Sequence, residues 1–188
     1  GEAFLFDTPV TNAQTETLVT WLADSLKASV STFIPNHWHE DCLGGLQYLH
    51  STGIKSYANQ LTIELARKHN KPVPQNGFVD SLRLDLNGLE TICYFLGGGH
   101  SADNIVVWIP SEKTLFGGCM VKDIYAKGLG NLSDAKVEEW PETIQKVTEL
   151  SLCVLLIISF TIIKWIFRKN NKNPEIKNFR IFCLPLYY

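Results

Sequence analysis

The chain has 188 residues, 45% hydrophobic and 19% charged, with a formal net charge of −2. That length suits one domain with a sizeable core rather than two, and the slightly acidic balance suits no nucleic-acid partner. The charge is unevenly spread: residues 1–149 carry −7 and residues 150–188 carry +5. Five cysteines, odd in number and irregularly spaced, make no disulfide framework. The first residue is Gly1 and an apolar run begins at once, so the natural start, and any secretory leader, is expected upstream.

Ala3-Phe4-Leu5-Phe6 reads as a strand. Thr11-Asn12 then caps an amphipathic helix that carries Leu18, Trp21, Leu22 and Leu26 at spacings of three and four. A β-branched strand, Val30 to Ile34, stops at Pro35-Asn36 and delivers the loop His37-Trp38-His39-Glu40-Asp41. Gly44-Gly45 turns the chain into a short helix at Leu46 to Leu49, ended by Gly53. Ile54 to Ala58 reads as a strand and Gln60 to His69 as a helix. This first half alternates β and α, the pattern of a layered α/β protein.

The second half is mostly antiparallel. Lys71 to Gly77, with two prolines, is loop; Leu82, Leu84 and Leu86 alternate with polar residues, and Asn87-Gly88 makes a hairpin turn into Leu89 to Phe95. Gly97-Gly98-Gly99-His100 precedes the apolar strand Asn104 to Ile109. Pro110 to Lys113 turns the chain into Thr114-Leu115-Phe116, which ends at Gly117-Gly118-Cys119. A final helix, capped by Asp134 with Pro141 in its first turn, runs through Ile144 and Val147. Leu150 to Phe167 is an apolar run of 18 residues, long enough to be a candidate membrane helix.

Ligand-type residues stand at the ends of several strands. On an extended backbone, His37, His39 and Asp41 would point to one side, and imidazole with carboxylate suits a borderline divalent ion, above all zinc. The plainer alternative for the same loop is a solvated polar turn. His37, His39 and His100 can make a three-histidine site, with Asp41 and Cys119 as a softer second site beside it; the neighbouring glycines would let backbone come close to a metal. His50 and His69 read as surface residues, Cys93 as core, and Cys42 as a neighbour of Asp41 rather than a ligand. The three glycines before His100 are a poor phosphate-binding signal, since no helix with Lys-Ser/Thr follows.

The runs His37-Trp38-His39-Glu40-Asp41-Cys42-Leu43-Gly44-Gly45, Gly97-Gly98-Gly99-His100 and Phe116-Gly117-Gly118-Cys119-Met120-Val121-Lys122 resemble the zinc-dependent (class B) β-lactamases. Within them, the likeness is to the subclass with a three-histidine site beside an Asp-Cys-His site. It covers residues 1–149. The wider superfamily of this fold has His directly after Asp, where this chain has Cys42, and that favours a β-lactamase over a glyoxalase-like or nuclease-like relative.

The resemblance implies an αββα sandwich, incomplete at both ends, with two zinc ions and hydrolysis of the β-lactam amide, carbapenems included, by a periplasmic monomer. His37, His39 and His100 would bind the first zinc and Asp41 and Cys119 the second. Lys122 would pair with the substrate carboxylate, and Asn131 would polarise the β-lactam carbonyl. Asp7 would support the metal loop from beneath.

The chain also departs from the family. In that subclass the second zinc takes a histidine from a later Gly-His-Gly turn, whereas all five histidines here lie at or before residue 100. The expectation is a weakened second site and impaired activity. Residues 150–188, with no Gly, Ala, Asp or His, are expected to be unrelated to the domain, from a lost reading frame, a joined sequence or a membrane anchor. Two alternatives follow: another hydrolase of the same fold, or an inactive membrane-attached fragment.

Overall fold

Strand β1 (Glu2–Phe6) shows how the layers are built, because both of its faces are buried. Ala3 and Leu5 pack with Leu18 and Leu22 of α1 (Asn12–Leu26), whereas Phe4 and Phe6 point the other way, toward Ile105, Val107 and Phe116. Such a strand reads as a continuous apolar run because it lies between a helix layer and a second sheet. The computed structural model describes residues 1–122 and 126–150 in full, and the backbone of 156–159, 162–168 and 179–185.

The chain continues through β2 (Ser29–Ile34), α2 (Glu40–Leu43), α3 (Leu46–Ser51), β3 (Lys55–Asn59) and α4 (Gln60–Lys68). Next come β4 (Asn76–Phe78), the hairpin β5 (Ser81–Asp85) and β6 (Glu90–Phe95), β7 (Ile105–Ile109), β8 (Thr114–Gly118) and α5 (Trp140–Leu150). Strands β9 (Leu156–Ser159), β10 (Ile162–Arg168) and β11 (Phe179–Pro185) follow. One sheet has the order β11-β10-β1-β2-β3-β4 and the other β5-β6-β7-β8-β9.

Their inner faces meet through Phe4, Phe6, Ile34 and Phe78 on one side and Leu86, Cys93, Ile105 and Phe116 on the other. Helices α1, α3 and α4 cover the first sheet, and α5 covers the second through Trp140 and Val147 against Val106 and Leu115. The result is the expected αββα layering. Thr11 caps α1, its Oγ1 accepting from Gln14 N at 3.2 Å.

Four local expectations change. Trp21 lies on the exposed side of α1 rather than its packed face. Asn76–Phe78, which begins inside the stretch read as loop, pairs parallel with β3 (Tyr57 opposite Asn76), since β3 offers an open edge there. The last helix begins at Trp140, with Pro141 in its first turn; Asp134 lies outside it.

The fourth concerns 150–167, where a membrane helix was one expectation. The described backbone is strand at Leu156–Ser159 and Ile162–Arg168, and residues 151–155 and 160–161 lie outside the described residues. β9 pairs parallel with β8 and β10 antiparallel with β1. Isoleucine-rich segments suit strands, and both partner edges carry N–H and C=O groups that need a ladder. Among the described residues no helix is long and apolar enough to cross a membrane.

Candidate metal centre

Asn36, wholly buried at the end of β2, organises the loops that carry the ligand-type residues. Its backbone N donates to Asp7 Oδ1 at 2.6 Å. Its side-chain Oδ1 accepts from Asn104 Nδ2 at 3.0 Å and from Cys119 N at 3.3 Å, and its Nδ2 donates to Ile105 O. One carboxamide therefore ties the end of β2 to the start of β7 and the end of β8. Sequence reasoning read Asn36 only as a strand stop; a buried carboxamide with every polar group used leaves no periodic signal to find.

Beyond Asn36 the backbone bends, and His39 is the N-cap of α2, so the extended alternation expected for His37, His39 and Asp41 does not occur. Convergence comes instead from a turn followed by one helical turn. His37 Nε2 stands 2.8 Å from His39 Nδ1 and 3.8 Å from Asp41 Oδ1. His100, from the loop between β6 and β7, brings its ring 5.0 Å from that of His37 and 5.2 Å from that of His39. The donor atoms of His37, His39 and His100 lie within 4.8 Å of one another, and those of His37, Asp41, Cys42 and Cys119 form a second such group.

The outward ring nitrogens of His37 and His39 each have an oxygen acceptor. Asn36 Oδ1, an acceptor, lies 3.2 Å from His37 Nδ1, and Asp134 Oδ2 lies 3.1 Å from His39 Nε2. With protons on those two outward nitrogens, His37 Nε2 and His39 Nδ1 would face each other as lone pairs. Such a contact is repulsive unless a cation lies between them. His100 Nδ1 is buried with no hydrogen-bond partner. Burial, with its neighbours His39, His100 and Lys122, holds His37 well below the usual imidazole pKa. Burial and then Lys122 lower His100 to about 4. Three converging imidazoles fit a zinc ion.

The second group sets a carboxyl and thiols beside His37. Burial raises the Asp41 carboxyl above its ordinary range, opposed by His39, and it also raises the Cys119 thiol, whose Sγ lies 3.7 Å from Asp41 Oδ2. Asp7, with a left-handed φ of 59°, sits behind the metal loop, as its bond to Asn36 shows. The glycines do a different job from the one expected. A Cβ on Gly98 would lie 2.7 Å from the Lys136 side chain and one on Gly118 2.3 Å from Asn36, so both make room for neighbouring protein.

The centre forms the floor of a cleft of about 500 Å³ lined by Trp38, His39, Asp41, His100, Lys122 and Asn131, among others. Lys122 Nζ lies 5.8 Å from the Trp140 ring centre, and burial lowers its pKa. Asn131 lines the cleft while its Oδ1 accepts from Ser133 N at 3.0 Å.

No family model matches the chain. It is 60% identical over 146 residues to a metallo-β-lactamase type 2 of Bacteroides fragilis, covering 78% of this chain and 59% of that protein. A second relative, from Pseudomonas aeruginosa, is 41% identical over 146 residues, covering 76% and 56%. Among solved structures, a metallo-β-lactamase from Pontibacter korlensis superposes with a TM-score of 0.80 at 38% identity, covering 83% of this chain and 73% of that one.

The chain belongs to the metallo-β-lactamase family.

It spans just under three fifths of the length of those two curated relatives. This metallo-β-lactamase chain brings together His37, His39, His100, Asp41 and Cys119; Cys42 stands beside Asp41 as expected, and Asp134, expected to cap a helix, lies against His39 instead. His50 and His69 stay apart from it: His50 Nε2 lies 2.8 Å from Ser56 Oγ, and His69 stacks on Trp38 at 4.1 Å. Cys93 is core, its thiol pushed up to about 12 by burial.

Proposed function

We propose that this chain hydrolyses the amide bond of β-lactams, carbapenems included, as a zinc-dependent monomer acting in the periplasm. The observation that carries the reading is the set of three converging imidazoles on the floor of an open cleft rimmed by Lys122 and Asn131.

His37, His39 and His100 would hold one zinc, and Asp41 and Cys119 would contribute to a second. Zinc bound there supplies Lewis acidity and brings the pKa of a bound water near seven. The protein's own part is binding and orientation. The Lys122 ammonium attracts the carboxylate that β-lactams carry and sets the ring over the imidazoles. The Asn131 amide, released from Ser133, donates to the carbonyl oxygen as negative charge develops on it. Asp41, at the back of the cleft, would orient the attacking water. Asp134 holds the His39 proton outward so that Nδ1 keeps its lone pair for the metal. Asp7 and Asn36 fix the loop beneath.

The test is turnover of a carbapenem by the purified 188-residue chain with zinc added. Hydrolysis that a chelator abolishes and a serine-trapping agent leaves untouched is expected. A zinc-loaded, folded chain that turns over no β-lactam would refute the proposal.

A further inference from the structure

The loop that carries His37, His39 and Asp41 is gripped by the turn that closes α4. Two residues are interleaved with those ligand types, Trp38 and Glu40. Trp38 is buried and sets its ring 4.6 Å from that of His39. His69 stacks on the same indole at 4.1 Å, 22° from parallel, and Lys71 forms an ion pair with Glu40. Both outer partners flank Asn70. His69 is the C-cap of α4, Asn70 holds a left-handed φ of 54°, and the backbone N–H groups of Asn70 and Lys71 donate to Arg67 O at 3.2 Å and Ala66 O at 2.8 Å. That pair of bonds is a Schellman closure, and asparagine tolerates its left-handed position better than most residues. The closed turn fixes the backbone beneath both side chains, so less freedom is lost when they make their contacts.

The grip matters because residues 36–39 are bend, neither helix nor strand, so backbone ladders do not fix the two imidazoles. Asn36 anchors the loop at its start, and its end is anchored where Cys42 N and Leu43 N donate to His39 O at 3.0 and 2.9 Å. His69 itself stays exposed, so the stack restrains the indole rather than burying the imidazole. We propose that His69 and Lys71 are positioning residues for the metal centre: the turn that closes α4 holds Trp38 and Glu40 and through them sets the directions of His37, His39 and Asp41. The inference rests on the zinc reading above and deepens it. Ligands that already stand in place bind an ion more tightly, because the loop is not ordered at the expense of binding. The stack contributes more than the ion pair, which lies near the surface and is screened by salt.

The experiment is amide hydrogen exchange on the metal-free chain, paired with zinc affinity measured against a chromophoric chelator. The N–H groups of Cys42, Leu43 and Gly44 report on the loop, and that of Val107 in β7 reports on the fold as a whole. His69→Ala should speed exchange at 42–44 about fivefold with Val107 unchanged, and raise the Kd of the first zinc about fivefold. His69→Phe keeps a ring on Trp38 and should return both to within about twofold of the unaltered chain. Adding Lys71→Met to His69→Ala should raise the Kd by about a further twofold. Lys68→Ala, exposed on the same helix, should change neither reading. Unchanged exchange at 42–44 in His69→Ala, a rise shared equally by Val107, an unchanged zinc Kd, or no recovery in His69→Phe would each overturn the proposal; no further rise in the double variant would overturn the part given to Lys71. None of these measurements reads turnover, and the exchange needs no metal. A chain that behaves as expected here but hydrolyses no β-lactam would refute the proposed function and leave this inference standing.

Discussion

Gly118 and Asn36 meet where no other residue fits at 118: a Cβ there would lie 2.3 Å from Asn36 Cγ, and Gly118 holds a left-handed φ of 53°. The contact matters because the next residue, Cys119, donates its N–H to the same Asn36 side chain. The distance between the histidine loop and the cysteine loop is therefore set by a glycine and a carboxamide. Gly118→Ala meets both a clash and backbone strain, and about 1–3 kcal/mol of stability should be lost. Gly128→Ala, with open space around it, should be near neutral. Urea unfolding of the two variants checks this; equal midpoints would contradict the account of Asn36 as the hub.

Lys122 should act on substrate binding more than on the reaction itself. Its ammonium lines the cleft beside Asp41 and His100. An attraction to the substrate carboxylate that is the same in ground and transition state appears in KM alone. Lys122→Ala should raise KM for carboxylate-bearing β-lactams on the order of tenfold, about 1.4 kcal/mol, with kcat changed far less. Steady-state kinetics on a β-lactam and on its methyl ester separate the cases, since the ester should show almost no difference between the two proteins.

Removing the metal should destabilise the fold. A ligand bound only by the native state adds about 2.7 kcal/mol at a free concentration of a hundred times its Kd. For a chain of this size that corresponds to a Tm higher by roughly 5–10 °C in zinc than in chelator. Calorimetry with and without chelator measures it. The difference should shrink sharply in His100→Asn, which removes one of three converging donors.

Acid should weaken the metal-free protein through the same histidines. An unfolded imidazole titrates near 6.5, whereas burial and Lys122 lower folded His100 to about 4. The unfolded chain thus takes up the proton first. This contribution to stability is complete above about pH 6.5, declines as the pH falls, and is gone below about pH 4. His37, lowered in the same direction by burial, adds to the effect. Chelator-treated protein should show a lower urea midpoint at pH 5 than at pH 7, and His100→Asn should lose part of that difference.

Much of the architecture could be read from local pattern. Ala3 to Phe6, the Thr11 cap with its leucine stripe, and the Asn87-Gly88 hairpin each follow from side-chain periodicity or turn chemistry. The structure places all three as expected. The ligand types were legible as well, because imidazole, carboxylate and thiol beside strand ends are rare in one chain. Asp134 had an ordinary local explanation as a helix cap, and only the approach of a distant loop sets it against His39. Cys42, read as a neighbour of Asp41, stands beside it, and Cys119 reaches the same place from the end of β8.

By itself the sequence determined most of the elements up to α5, the donor chemistry and the family, since these depend on near-neighbour sterics and on which side chains exist. The tertiary structure alone decided that the loop from β2, the turn before β7 and the end of β8 share one point. It also decided that the apolar stretch after Leu150 supplies strands at the edges of both sheets. Convergence of that kind is a property of packed layers. It arises when buried polar groups such as the Asn36 amide, and open strand edges such as those of β1 and β8, have to find partners far away in the chain.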